Sequence, residues 1–302
     1  MNEPKLNLRN VTLCAVDCLN PLLAARALDI SRQHGLFGDT LLLTDQRLEV
    51  NARIALIPSI RSREEYSEFI LKRLAEHIHT PWVLLVQWDG YVLNPAAWTE
   101  DFFAFDYVGA RWPHRPDGMN VGNGGFSLRS KRLLDILSND DRFTADSQAV
   151  EDELICREYR PLLESEYGIR FATTSLADRF SVEFLPISDI ELGFAPSSER
   201  RFGFHGIFHL ARYATESELE YIAENAHPRT VHTGDFVSFC VDCAEQEKML
   251  AAGKAYWRLR RFLSVAEMQS ILADRAARLS RHTPAGLIDR FESMPREALT
   301  AA

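Results

Sequence analysis

The stretch Trp82-Val83-Leu84-Leu85-Val86-Gln87 constrains this chain more than any other. Near-continuous hydrophobicity is what a strand needs when helices cover both faces of its sheet, and parallel sheets are buried in that way. Residues 11–16 read as a second buried strand, followed by a helix over 21–34. Residues 40–44 read as a strand ending at the turn former Asp45, and 55–58 as a short one. Ser62 opens a helix through His77, with Glu65 three residues on completing a capping box. Strands alternating with helices predict the α/β class, with a doubly wound, mostly parallel sheet flanked by helices. Past Tyr213 the pattern becomes charged, amphipathic and helical over 216–226 and 244–279. The expected organisation is therefore a main domain over 1–213 and a helical C-terminal region over 214–302, packed on it.

Composition narrows the function classes. The 302 residues carry 43 acidic against 34 basic side chains, a net charge of -9, with no basic stripe. Nucleic acid is excluded as the expected partner on that ground. No apolar run approaches the ~20 residues of a membrane span, although peripheral membrane association stays open. Met1-Asn2-Glu3-Pro4-Lys5 lacks the pattern of a secretory signal, and five cysteines read as reduced thiols, so a cytoplasmic protein is expected. Cys240-Val241-Asp242-Cys243 is a lone CxxC whose readings are plain thiols or half of a zinc site. Arg258, Arg260 and Arg261 read as a solvated helix face.

The strand at 82–87 runs into Trp88-Asp89-Gly90. Ligands of open parallel sheets collect at the carboxyl ends of strands, and an acid there does nothing for the core. A hard cation bridging a diphosphate, Mg²⁺ or Mn²⁺, uses such a carboxylate. Asp-Gly is also a common turn dipeptide, and both readings are open for Asp89. Val121-Gly122-Asn123-Gly124-Gly125-Phe126 lets backbone approach a ligand closely, yet it is neither a P-loop nor a dinucleotide fingerprint. It reads as a floor under a sugar or as an ordinary connection. Glu151-Asp152-Glu153 opens a helix, where acids favourably meet the helix dipole. Consecutive helical residues point about 100° apart, so one of the three can serve a given ligand as general base. Asp152 is the first candidate and Glu151 the second. In Phe202-Gly203-Phe204-His205-Gly206, the histidine is either a satisfied buried imidazole or a ligand for an ion such as Mn²⁺.

Taken in order, Gln87-Trp88-Asp89, the Gly122–Phe126 loop, Glu151-Asp152 and Phe204-His205-Gly206 resemble GT-A glycosyltransferases. More narrowly, about residues 8–210 resemble a mostly bacterial group of glycosyltransferases classed as a domain of unknown function. The resemblance implies a GT-A-like (Rossmann-like) sheet and an enzyme moving a sugar from a nucleotide-sugar to an acceptor hydroxyl, metal-dependent and inverting. The donor would be UDP- or GDP-linked, between which the residues do not choose. The acceptor would be a carbohydrate or glycolipid, in bacterial surface polysaccharide or glycoconjugate synthesis. Asp89 and His205 would hold the metal, and Asp152 would be the base. Asp17 and Asn20 after the first strand, with Ser62 and Tyr66, would face the nucleotide. Gln87 stands where such enzymes carry the first carboxylate of Asp-x-Asp, which removes one negative charge but keeps a hydrogen bond for ribose. Trp88, Gly124 and Gly125 would shape the donor site. Two rivals remain. A sugar-phosphate nucleotidyltransferase would want a basic Gly-rich loop that residues 17–23 lack. A catalytically silent carbohydrate- or nucleotide-binding module is compatible with Gln87.

Overall fold

The computed structural model describes residues 5–145, 150–184, 201–275 and 279–294. The chain divides into two compact units, Met1–His205 and Gly206–Ala302.

The first unit is a mixed α/β layer structure. Its strands are β1 (Leu6–Val16), β2 (Gly35–Thr44), β3 (Arg53–Leu56), β4 (Trp82–Val86), β5 (Tyr107–Val108) and β8 (Phe126–Ser130), in the order β3-β2-β1-β4-β8-β5. The first four pair in parallel, and β8 runs antiparallel to both β4 and β5. Alternate residues of β4 feed opposite sides, as the two-residue period of a strand requires. Leu84 and Val86 join one cluster with Val11, Leu13, Ala24, Leu28, Phe126 and Leu128. Val83 and Leu85 join another with Leu41, Leu43, Phe69, Ile70 and Leu134. Helix α1 (Pro21–His34) therefore covers one face, and α2 (Arg63–Lys72) and α3 (Lys131–Asn139) the other. Leu84 is fully buried, and truncating such a leucine to alanine costs about 2–5 kcal/mol.

Several elements differ from their sequence outlines. Strand β2 starts at Gly35 directly after α1, because Leu6 to Leu8 of the long β1 offers it partners. The helix expected to run to His77 ends at Lys72 and tightens into a short turn over Leu74–His77, which lowers Leu74 and Ala75 into the cluster around Phe69. Two two-stranded pairs complete the unit. β6 (Ala110–Arg111) pairs with β7 (Val121–Gly122) antiparallel, and β9 (Ser181–Val182) pairs with β10 (Gly203–Phe204) in parallel. Helix α4 (Glu151–Glu153) passes into a wide π turn over Leu154–Glu158, then α5 (Arg160–Tyr167) and α6 (Thr174–Phe180).

The described residues of the second unit are helical: α7 (Ile207–Tyr213), α8 (Glu216–Asn225), α9 (Pro228–Val231), α10 (Gly234–Glu245), α11 (Met249–Leu259), α12 (Val265–Asp274) and α13 (Pro284–Ser293). The helical stretch expected over 244–279 is interrupted: α10 ends in it, α11 and α12 follow, and 276–278 lie outside the described residues. Glu247 takes a left-handed φ of 59° and stops α10. Ser264 and Glu267 then form a capping box that starts α12. Cys240 and Cys243 are both buried on α10, and the Cys240 thiol lies 3.3 Å from the Ala252 carbonyl. Arg258 is not on a solvated face: its guanidinium donates to the carbonyls of Ala223 (2.9 Å), Glu224 and Ala226, closing the C-terminus of α8.

Candidate active site at the end of strand β4

The antiparallel setting of β8 decides where the site lies. Val86 is opposite Phe126, and the Gln87 N–H donates to the Gly125 carbonyl at 2.9 Å. The loop preceding β8 is thereby delivered to the carboxyl end of β4. There the chain turns, with the Gly90 N–H donating to the Gln87 carbonyl at 3.1 Å. β10 brings His205 to the same place, its N–H donating to the Val182 carbonyl at 3.0 Å. Two glycines make room for the Phe204–His205 segment. A Cβ on Gly125 would overlap the His205 ring, and one on Gly90 would lie 2.6 Å from the Phe204 carbonyl oxygen.

His205 is enclosed by polar groups. Its Nε2 lies 3.1 Å from Gln87 Oε1 and 3.5 Å from Asp89 Oδ1. Its Nδ1 lies 3.0 Å from Asn123 Nδ2 and 3.5 Å from Glu183 Oε1. Burial opposes a charge on the ring, but the Asp89 and Glu183 carboxylates outweigh it and raise the pKa to about 10. Asp89 Oδ1 is buried and has no hydrogen-bond partner. Asp17 sits near enough to feel Asp89: burial lifts its carboxyl to about 6, against the Asn20 and Leu19 N–H bonds that favour its charge.

An orphaned carboxylate oxygen facing an imidazole nitrogen is the donor set of a hard or borderline cation such as Mn²⁺. Among the described residues no group of three or more His, Cys, Asp or Glu side chains gathers as a metal site. Asp89 and His205 therefore fit an ion whose remaining positions are filled by a substrate's phosphate oxygens and water, the usual arrangement for Mg²⁺.

The three consecutive acids point three ways, as helical geometry requires. Glu151 is buried and its Oε1 accepts from Arg129 Nη2 at 2.9 Å, a pair with both side chains at most 6% exposed. Arg129 also donates to Ser127 Oγ at 3.0 Å and lies over the Tyr107 ring. Glu153 turns outward to Arg115 at 2.6 Å and Arg157 at 3.4 Å. Asp152 points at the glycine loop, its Oδ2 accepting from the Gly124 N–H at 2.9 Å and its Oδ1 from the Glu153 N–H at 2.9 Å. Burial, reinforced by the charges of Glu151 and Glu183, raises Asp152 to about 7. The segment Asn123-Gly124-Gly125 is thus shared: Asn123 and Gly125 touch His205, and Gly124 holds Asp152.

The other sequence candidates are placed as follows. Gln87 is engaged at both ends of its amide, with Nε2 donating to the Tyr66 hydroxyl at 3.3 Å. Tyr66 thus lies behind Gln87. The Ser62 hydroxyl caps α2, accepting from the Glu65 N–H at 3.2 Å on the exposed surface. Asp17 Oδ1 accepts from the Leu19 and Asn20 N–H groups at 2.7 and 2.6 Å, turning β1 into α1. Asn20 is buried at the start of that helix, and Trp88 packs half-buried against the cluster of Leu84 and Val86. Sequence reasoning missed Glu183 and the role of Arg129. A lone arginine in an apolar strand was a signal that a buried acid must answer it; Glu183 had no signal.

Among solved structures, the chain is similar to the mannosyltransferase PcManGT from Pyrobaculum calidifontis in complex with GDP-Man and Mn²⁺, at 12% identity and a TM-score of 0.36, covering 96% of this chain and 87% of that one. No curated protein matches. The family described as "Protein of unknown function (DUF5672)" matches residues 51–205, half of the chain, and this protein belongs to it.

Proposed function

We propose that the first unit is a GT-A-type, inverting glycosyltransferase that moves a sugar from a UDP- or GDP-linked donor to a hydroxyl of a carbohydrate or glycolipid acceptor. The observation that carries this reading is the juxtaposition of two different sites on one loop. Asp89 and His205 meet beside Gly125, while Asp152, held to Gly124, has a pKa of about 7. A carboxylate that titrates near neutrality is matched to the work of a general base.

In this mechanism Asp152 accepts the proton of the acceptor hydroxyl as that oxygen bonds to the anomeric carbon. The anomeric carbon–oxygen bond to the diphosphate breaks on the opposite face, and its electron pair leaves on the diphosphate oxygen. Asp89 and His205 would hold a divalent cation, Mn²⁺ or Mg²⁺, which when bound would supply positive charge opposite the leaving diphosphate. Glu151 keeps Arg129 paired beneath the loop, and the Gly124 N–H fixes where the base stands. Asp17, whose carboxyl feels Asp89, would lie toward the nucleotide side of the donor.

Purified protein incubated with a panel of nucleotide-sugars and Mn²⁺ tests the reading through release of nucleoside diphosphate. Turnover that is lost in Asp89→Ala and Asp152→Asn supports it. Donor binding with no turnover, under every acceptor tried, would instead support the silent binding module. That second reading draws on Gln87, whose amide is engaged by Tyr66 and His205.

A further inference from the structure

The second unit takes no part in the chemistry above, yet it holds a cavity of about 290 Å³ of its own. Breaks between its helices build the walls. Helix α11 ends at Leu259, and the chain turns there, the Phe262 and Leu263 N–H groups both donating to the Leu259 carbonyl at 2.9 and 3.0 Å. Helix α12 and its C-terminal cap then present Ile271 and Arg275, four residues apart and so on one face. Val237, buried on α10, also lines the cavity.

Among the described residues no acid lines this cavity, and Arg275 is the one arginine or lysine that does. Its guanidinium donates from Nε to Ser238 Oγ at 3.4 Å, from Nη1 to the Ile271 carbonyl at 3.4 Å and from Nη2 to the Gly234 carbonyl at 3.2 Å. Those bonds are long, and none goes to an acid. Lys254 and Arg260 of the same unit, by contrast, each meet glutamates. A guanidinium has five N–H donors. Three are used here, and the two left over sit one on each terminal nitrogen, which suits the paired oxygens of a carboxylate. The apolar walls set the rest of the ligand. Leu259, Leu263, Ile271 and Val237 offer water few partners, and Phe262 in the same lining is 44% exposed, with apolar surface still to be covered. At the ~30 Å³ that a water takes in the liquid, the cavity has room for about ten heavy atoms.

We propose that this cavity binds a small amphiphilic monocarboxylate: an alkyl chain of about eight carbons lies against the apolar walls, and its carboxylate takes the two unused N–H groups of Arg275. A single unanswered positive charge calls for a monoanion, and the volume limits the chain. The site lies in the second unit and does not depend on the glycosyltransferase reading.

The test uses the full chain, with octanoate as the probe and octanol as its uncharged counterpart. Titrated to millimolar concentration, octanoate should shift the ¹³C-methyl signals of Val237, Leu263 and Ile271 while those of Leu84 in the first unit stay still. Arg275→Gln should weaken octanoate by about 10-fold or more, the scale of a hydrogen bond to a charged group, and leave octanol binding unchanged. Ile271→Trp, which fills the cavity, should remove both ligands. Wild type whose cavity methyls do not respond to octanoate would overturn the proposal. So would an octanoate affinity that Arg275→Gln leaves unchanged, or one that falls only as far as octanol's does, because Arg275 would then not be reading the head group.

Discussion

Replacing Asp152 with asparagine should stabilise the first unit at alkaline pH while removing its chemistry. The native carboxyl titrates at about 7 instead of 3.8. At 1.36 kcal/mol per pH unit, keeping it ionised in the folded state costs on the order of 4 kcal/mol. Asparagine removes that cost but brings one of its own. Asp152 accepts from two backbone N–H groups, of Gly124 and Glu153, and an amide has a single oxygen to offer. One hydrogen bond is lost, at about 1–1.5 kcal/mol. The net gain is roughly 2–3 kcal/mol above pH 7. The sign follows from proton counts. Between about pH 4 and 7 the folded state binds more protons than the unfolded state, so wild-type stability falls as pH rises through that window. Below it no penalty exists. Urea unfolding of wild type and Asp152→Asn, at about pH 5 and about pH 8, measures both effects. The variant should lack much of the wild-type decline and should be the more stable protein at the higher pH. A variant less stable than wild type at both pH values would refute the reasoning, because Asp152 would then be a stabilising carboxylate rather than a strained one.

Other outcomes follow from the same geometry. The kcat profile should rise about tenfold per pH unit up to about 7 and level off above it, since a base must be unprotonated; a flat profile from pH 5 to 8 would contradict the role of Asp152. Glu151→Gln leaves the Arg129 guanidinium buried without its carboxylate, so denaturant unfolding should show a loss of about 3–5 kcal/mol, part of it recovered when Arg129→Met is added. Gly125→Ala drives a methyl into the His205 ring; calorimetry should show about 1–3 kcal/mol of destabilisation, and Mn²⁺ affinity should fall with it. An unchanged Mn²⁺ affinity in that variant would mean His205 does not serve the cation.

What could be read in the sequence depended on whether neighbours in space were neighbours in the chain. β4 was legible because a strand covered on both faces must be apolar throughout, and Asp89 at its end had no use in the core. The separate directions of Glu151, Asp152 and Glu153 followed from helix geometry alone. Ser62 shows the limit of such local signals: its hydroxyl caps the helix, while the Glu65 carboxylate accepts from the Arg61 N–H instead of closing the expected capping box. The convergence of Asn123 with His205 joins residues 82 positions apart, and only the antiparallel β8 and the β9–β10 pair create it. Glu183 was invisible for that reason. Gln87 looked like a weakened metal ligand or a ribose contact; its place between Tyr66 and His205 is a tertiary fact that no spacing encodes.

In the proposed reaction Asp152 removes a proton during sugar transfer assisted at Asp89. Single-turnover release of nucleoside diphosphate from a nucleotide-sugar that wild type binds, with Mn²⁺ present, tests it most directly when wild type and Asp152→Asn are compared. The variant should bind the donor with nearly the wild-type Kd and lose transfer by about 10²-fold or more, the scale of a general base. Wild-type transfer rates in Asp152→Asn would contradict it.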